Sequence, residues 1–212
     1  MALQFEIMAV TPFRQNCTLL WDDGSGEAVL TDVGGDVPHL LAQVKAKGLQ
    51  VKAVWLTHGH LDHAGGVVEF VSHCDVPVLG PHCEDEFLLQ SLPEVTAQYG
   101  FPVSPAFEPT RWLEEGETLS VGNYAFQVLH IPGHTPGHVV FYCAQAELLI
   151  AGDVLFYETI GRTDFPRGNH EDLIGNIRSK LLVLPPQTRV IAGHGRMTTI
   201  GHERQFNPFL QF

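Results

Sequence analysis

Positive charge is scarce in this sequence. Lysine and arginine together number 12 against 24 aspartates and glutamates, giving a formal charge of −12 over 212 residues. That balance repels a phosphate backbone, so nucleic acid is excluded as an expected partner. Charged residues of both signs make up only 17% of the chain while 44% are hydrophobic, which excludes wholesale disorder and leaves enough apolar side chains for a sizeable core. Cysteine is sparse too. Cys17, Cys74, Cys83 and Cys143 stand far apart with no Cys-x-x-Cys pair, so no disulfide framework is expected and the thiols read as reduced and mostly buried. No apolar run reaches the ~18 residues needed to span a bilayer. Met1 to Ile7 has no basic stretch leading into an apolar one. The expectation is therefore a cytoplasmic protein without a membrane partner.

Histidine is what the sequence has in excess. Its 12 residues equal lysine and arginine combined, and imidazole is both the commonest metal ligand and the side chain that titrates near neutrality. At ~100–200 residues per domain, the length predicts one domain, residues 1–212.

Short β-type runs fill the first third: Phe5 to Val10, Cys17 to Trp21 and Ala28 to Asp32, broken by turn residues such as Asp22-Asp23-Gly24-Ser25-Gly26. Helical spacing follows from Pro38 to Lys47, with Gly48 suited to a C-terminal cap. A buried strand, Ala53 to Leu56, leads into Thr57-His58-Gly59-His60-Leu61-Asp62-His63, then a helix from about Ala64 to Cys74 and a strand from Val76 to Leu79. The prolines at 93, 102, 105 and 109 predict a long surface loop from Leu92 to Pro109, serving as a lid or a connector. Strands resume at Tyr124 to Ile131, Val139 to Cys143 and Leu148 to Ala151. Asn169, three residues before Asp172, resembles an N-cap opening a helix to about Leu184, and a last strand runs from Arg189 to Ala192. This order suggests an α+β fold of two sheets with helices packed outside.

Four polar clusters sit where the apolar strands end: His58/His60/Asp62/His63, Gly133-His134, Gly152-Asp153 and Gly193-His194. Strand-end loops are where a rigid scaffold presents reactive groups. In an extended loop the side chains of His58 and His60 point the same way and can reach one cation. Asp62 and His63, past the turn, can face a neighbouring ion; the carboxylate of Asp153 can bridge two, and His134 and His194 would complete one coordination sphere each. The absence of thiolate from the set argues against a purely structural zinc site. His39, His73, His82, His130, His138, His170 and His202 lack a matching context and read as ordinary core or surface residues. His138 is the exception to watch, as a supporting group beside His134.

In order and residue type these motifs resemble the metal motifs of the metallo-β-lactamase superfamily, and the chain looks most like its short glyoxalase II type. Asn207-Pro208-Phe209 resembles a glyoxalase II tail segment. The resemblance implies an αββα sandwich of two mixed β-sheets flanked by helices, with a two-metal site along one sheet edge. It implies two divalent ions, zinc first, with iron or manganese as alternatives. One would take His58, His60, His134 and Asp153, the other Asp62, His63, Asp153 and His194, with Asp62 and Asp153 as the catalytic carboxylates. The implied reaction is hydrolysis of a small-molecule thioester, a glutathione conjugate. A thioester suits the site because a leaving thiolate, with a reference pKa of ~8.5, hardly needs a general acid. Arg162 and Arg167, in the segment that follows Asp153, are the candidate substrate-binding residues. Arg162 offers a planar fork for a carboxylate, or an ordinary salt bridge with Asp164. Two-domain glyoxalase II enzymes build much of their glutathione site from a further C-terminal helical domain, which this chain largely lacks. Two other readings stay open: a glutathione persulfide dioxygenase, similar in fold and in its Gly-Arg-Thr-Asp-Phe segment but using a single iron, and a metal-binding sensor or interaction protein without turnover.

Overall fold

The computed structural model describes residues 2–211. In the central strands, successive side chains alternate between two apolar layers, as a pleated strand buried on both faces requires. In β2 (Gln15–Asp22), Cys17 and Leu19 join one cluster and Leu20 another; in β4 (Gln50–Trp55), Val54 faces the first and Ala53 and Trp55 the second. In β8 (Val139–Cys143), Phe141 points to that second cluster while Val140 and Tyr142 enter a third. Three apolar layers around two sheets make a four-layer sandwich.

The first sheet runs β1 (Leu3–Val10), β2, β3 (Glu27–Thr31), β4 and β5 (Val78–Leu79), in chain order. Its outer face is covered by α1 (Val37–Lys47), α3 (Val67–Cys74) and α4 (Glu86–Gln98), which contribute Leu40, Phe70, Leu89 and Leu92 to the first cluster. The second sheet is built from β6 (Thr118–Val121), β7 (Tyr124–His130), β8, β9 (Leu148–Gly152), β12 (Arg189–Ala192) and β13 (Thr198–Thr199), in the order β13-β12-β9-β8-β7-β6. Its outer face packs against α5 (His170–Asn176), the wider π-type turns Ile177–Leu181, and α6 (Ile200–Phe206). A small hairpin, β10 (Leu155–Phe156) with β11 (Thr159–Ile160), stands apart from both sheets. Among the described residues no helix is long and apolar enough to cross a membrane.

Topology decides where loops gather. β4 runs parallel to β3, β12 runs parallel to β9, and β7 shares the direction of β9 because both are antiparallel to β8. The C-terminal ends of these strands in each sheet therefore open along one edge of the sandwich.

Three expectations need correction. The helix predicted from Ala64 to Cys74 is split into a single turn, α2 (Leu61–Ala64), and α3, at Gly65-Gly66, two residues of low helix propensity. The loop predicted from Leu92 begins only after Gln98, because α4 continues through Pro93. Burial of Leu89, Leu92 and Thr96 on one helix face outweighs the single N–H that Pro93 lacks. The cysteines are free, but only Cys17 and Cys143 are buried; Cys74 is half-buried and Cys83 exposed. The N-cap reading of Asn169 holds: its side chain accepts from the Asp172 N–H at 3.2 Å.

Trp55 is the largest buried side chain between the sheets, 5.3 Å from Phe126 and 5.2 Å from Phe141 between ring centroids. Trp55→Ala should destabilise the fold by about 3–5 kcal/mol, read as a lower midpoint with unchanged slope in urea unfolding.

Candidate metal centre

Each donor side chain enters from a strand end on the shared edge. β4 delivers Thr57 to His63, β7 leads to His134, β9 to Asp153 and β12 to His194. Close approach is written into glycines: a Cβ on Gly34 would lie 1.6 Å from the Asp62 carbonyl oxygen, and one on Gly193 would lie 2.0 Å from Asp153 Oδ1. Only a residue without a side chain lets the β3 and β12 loops close on the donors.

The imidazoles are aimed by their outer nitrogens. Asp32 accepts from the Thr57 N–H at 2.8 Å and from the Thr57 hydroxyl at 2.7 Å, and its Oδ2 lies 3.0 Å from His63 Nδ1. With its proton given to Asp32, the Thr57 hydroxyl oxygen is left to accept from His58 Nδ1 at 3.0 Å. His134 Nδ1 donates to the Arg162 carbonyl at 2.7 Å, and His194 Nδ1 to the Phe13 carbonyl at 3.1 Å. In these four rings Nδ1 makes the supporting bond and Nε2 faces inward, the arrangement by which supporting groups fix a metal-binding tautomer, whereas His60 turns Nδ1 inward.

The inward atoms converge in two sets. His58 Nε2 and His134 Nε2 lie 3.1 and 3.0 Å from His60 Nδ1, and His134 Nε2 is 3.6 Å from Asp153 Oδ2. On the other side, Asp62 Oδ2 is 3.2 Å from His194 Nε2 and 3.8 Å from His63 Nε2, while Asp153 reaches His63 at 3.4 Å and His194 at 3.7 Å. Donors bound ~2.0–2.1 Å from an ion stand roughly 3–3.5 Å from one another, so both sets fit a cation at their centre. The electrostatics agree. Burial holds His58 and His134 below the usual imidazole range and, with His134 beside it, pulls His60 down to about 3, so these rings are neutral bases. Burial opposes charge on Asp153, yet His63 beside it keeps the carboxylate ionised well below the usual range. Two buried atoms, His63 Nε2 and Asp153 Oδ1, have no hydrogen-bond partner and face each other at 3.4 Å, the separation expected of two donors that share a cation.

Three supporting residues carry no motif. Asp32, at the end of β3, orients His63. His138 accepts the Asp153 N–H at 3.0 Å and stacks on His58 with centroids 4.6 Å apart; its place in the Gly133-His134 cluster was its signal. Asp85 gathers the Gly59 N–H at 3.0 Å, the Gly137 N–H at 2.6 Å and the Thr135 hydroxyl at 2.8 Å, tying the two histidine loops together. Burial pushes its carboxyl up to about 6 against those hydrogen bonds. Nothing in the sequence around Asp85 marks it.

The donors form the floor of a cleft of about 790 Å³. Arg162 lies at its rim, stacked 4.5 Å over Phe165 and donating through Nε and Nη2 to Asp164, with both partners about two-thirds exposed. Arg167 stands outside the lining, bonded to the Glu84 carbonyl and carboxylate and packed over Phe87. Elsewhere, His82, Cys83 and Glu114 gather on the surface, but His82 already uses one nitrogen on Glu114 and the other to cap the Glu84 N–H.

Comparison with known proteins agrees with this geometry. The pattern that defines the metallo-beta-lactamase superfamily matches residues 10–194. Hydroxyacylglutathione hydrolase GloC of Haemophilus influenzae is 46% identical over 209 residues, covering 98% of each chain. Among solved structures, the BLEG-1 B3 metallo-beta-lactamase superposes with a TM-score of 0.91 at 37% identity, covering 99% of this chain and 100% of that one. TTHA1623 in a di-iron-bound form superposes with a TM-score of 0.88 at 38% identity, covering 97% and 100%.

Asp85→Ala would leave the buried N–H groups of Gly59 and Gly137 unpaired. At about 1–3 kcal/mol for a buried group left without its partner, a loss of roughly 3 kcal/mol is expected in chemical unfolding; a change under 1 kcal/mol would remove Asp85 from its tying role.

Proposed function

The chain belongs to the metallo-β-lactamase superfamily and is a metal-dependent hydrolase, and from that premise we propose that it cleaves the thioester of an acylated glutathione, S-D-lactoylglutathione or a relative, to glutathione and a hydroxy acid. One observation carries the proposal: seven inward-facing donors from four strand ends meet in two sets that share Asp153. We assign one divalent ion to His58, His60, His134 and Asp153, and a second to Asp62, His63, His194 and Asp153. Zinc is assigned first, iron and manganese being compatible with the same imidazole and carboxylate donors. When bound, such a pair supplies a water acidified toward neutrality and a Lewis acid for a carbonyl oxygen.

The remaining chemistry belongs to the chain. Asp62 and Asp153 are held ionised, which keeps the floor of the cleft negative and ready for cations. The Nδ1 bonds to Asp32, Thr57 and the Phe13 and Arg162 carbonyls keep the rings from rotating as charge develops. Outside the donor set, the described residues of the cleft include no carboxyl, imidazole or thiol, and the exposed phenol of Tyr99 is the one further acid that could protonate a leaving group. A thiolate leaves without one; an amine or alkoxide does not. The 46% identity to a protein named for hydroxyacylglutathione hydrolysis supports the same substrate. Arg162 is assigned to a substrate carboxylate, since an exposed pair such as Arg162–Asp164 is worth only ~0–1 kcal/mol and gives way to a better fork. Arg167 enters as a brace for Phe87.

The test uses purified, metal-analysed protein incubated with S-D-lactoylglutathione, following thiol release, and with glutathione persulfide, following dissolved oxygen. Metal-dependent thiol release without oxygen uptake is expected. Oxygen consumption instead would replace the hydrolase with a dioxygenase, and inertness toward both substrates at full metal occupancy would point to a protein without turnover. Asp153→Ala should abolish thiol release and retain, by elemental analysis, less than about half the wild-type metal, the loss of a ligand common to both ions; undiminished metal would refute the shared role.

A further inference from the structure

The cleft in front of the donors is more apolar than the donors require. Along α4 and its C-terminal cap, Phe87, Ser91, Val95 and Tyr99 recur at intervals of four and line it, while Leu89, Leu92 and Thr96 are buried on another face of the same helix. Further apolar lining comes from Phe156 and Ile160 of the β10–β11 hairpin, from Phe165 and Pro166 beyond it, and from Phe13 and Leu88. Cations are nearly absent: Arg162 is the one lysine or arginine among the described lining residues, and it is already shared with Asp164. Glutathione carries two carboxylates and an amine, and this rim offers one guanidinium to hold them. A bulky apolar arm, by contrast, meets an aromatic and aliphatic surface inside a space of about 790 Å³, the size that buries a drug-sized ligand.

Resting on the thioester reading above, we propose that this cleft selects thioesters whose acyl arm is apolar, an alkyl chain of about six carbons or an aromatic ring, and that the stripe Phe87, Val95 and Tyr99 on α4 is the surface that recognises it. The small polar lactoyl group leaves that stripe uncovered.

The zinc-loaded full chain is assayed on acetyl-, lactoyl-, hexanoyl- and phenylacetylglutathione. Burial of a methylene is worth up to roughly fourfold, so kcat/KM should rise at least about tenfold from acetyl to hexanoyl. In a Phe87→Ala, Val95→Ser double variant the hexanoyl-to-acetyl ratio should fall toward one. Because each ratio is taken within one preparation, losses of folding or metal cancel from it. In parallel, the non-hydrolysable S-methyl and S-hexyl thioethers of glutathione are titrated calorimetrically. The hexyl compound should bind at least about tenfold tighter with a more negative heat-capacity change. A flat kcat/KM series, or equal affinity for the two thioethers, overturns the proposal. If no thioester is turned over while the hexyl thioether still binds more tightly, the hydrolase reading falls and selection for an apolar arm is supported.

Discussion

The convergence of five imidazoles and two carboxylates on one partly buried space is the constraint around which the rest of the structure is arranged. His58 and His134 bring Nε2 within 3.0–3.1 Å of His60 Nδ1, and a buried ionised carboxylate oxygen without a hydrogen bond costs several kcal/mol. Four of the rings, His58, His63, His134 and His194, are kept from turning outward because their other nitrogens are committed to Thr57, Asp32 and two backbone carbonyls. The arrangement is therefore preorganised for cations, because donors aimed in advance by their supporting groups set metal affinity and ligand orientation together.

The sandwich exists in a form that serves this convergence. Parallel neighbours in each sheet send their C-terminal ends to one edge, and strict alternation of apolar side chains in β2, β4 and β8 locks the register that puts each motif at a strand end. A one-residue slip of β4 would turn Trp55 out of the inter-sheet layer and move Thr57 away from Asp32. Stability and site geometry are thus coupled through the same strands. The loops between them are pinned by polar side chains with little freedom: Asp85 spans the two histidine loops, and Asn16 bonds the Ala192 and Gly195 carbonyls on either side of His194.

How much of this the sequence displays depends on the kind of signal. Strands with alternating or continuous apolar residues, such as Val139 to Cys143, announce themselves, and so do histidines at short fixed spacing, because ligand geometry requires that spacing. Supporting residues do not. Asp32 and Asp85 act across 31 and 26 positions of chain, on His63 and Gly59 respectively, and a single aspartate at the end of a strand or near a helix start is indistinguishable from a cap or a solvated turn. The short strands β10, β11 and β13 span only two residues each and carry no period. α4 was obscured for a more specific reason. Its polar stripe, Glu86, Gln90 and Glu94, is exposed at regular spacing, but apolar residues toward both a core and a cleft narrow that stripe, and Pro93 within it reads as a break.

That second apolar face separates two demands on the molecule. Binding of metal is settled by buried, charge-assisted contacts, where a change such as loss of the Asp32 carboxylate leaves an imidazole proton unpaired and unfavourable. The rim and walls are made of exposed or half-buried groups whose individual worth is small: the Arg162–Asp164 pair is solvent-screened, Phe87 is half-buried and Tyr99 exposed, and Val95 alone of the stripe also packs against the first core cluster. Substitutions in the walls can therefore retune which acyl group fits without disturbing the donors beneath. The donor set commits every carboxylate and imidazole that lines the cleft, so the walls above it are where such a chain has room to change.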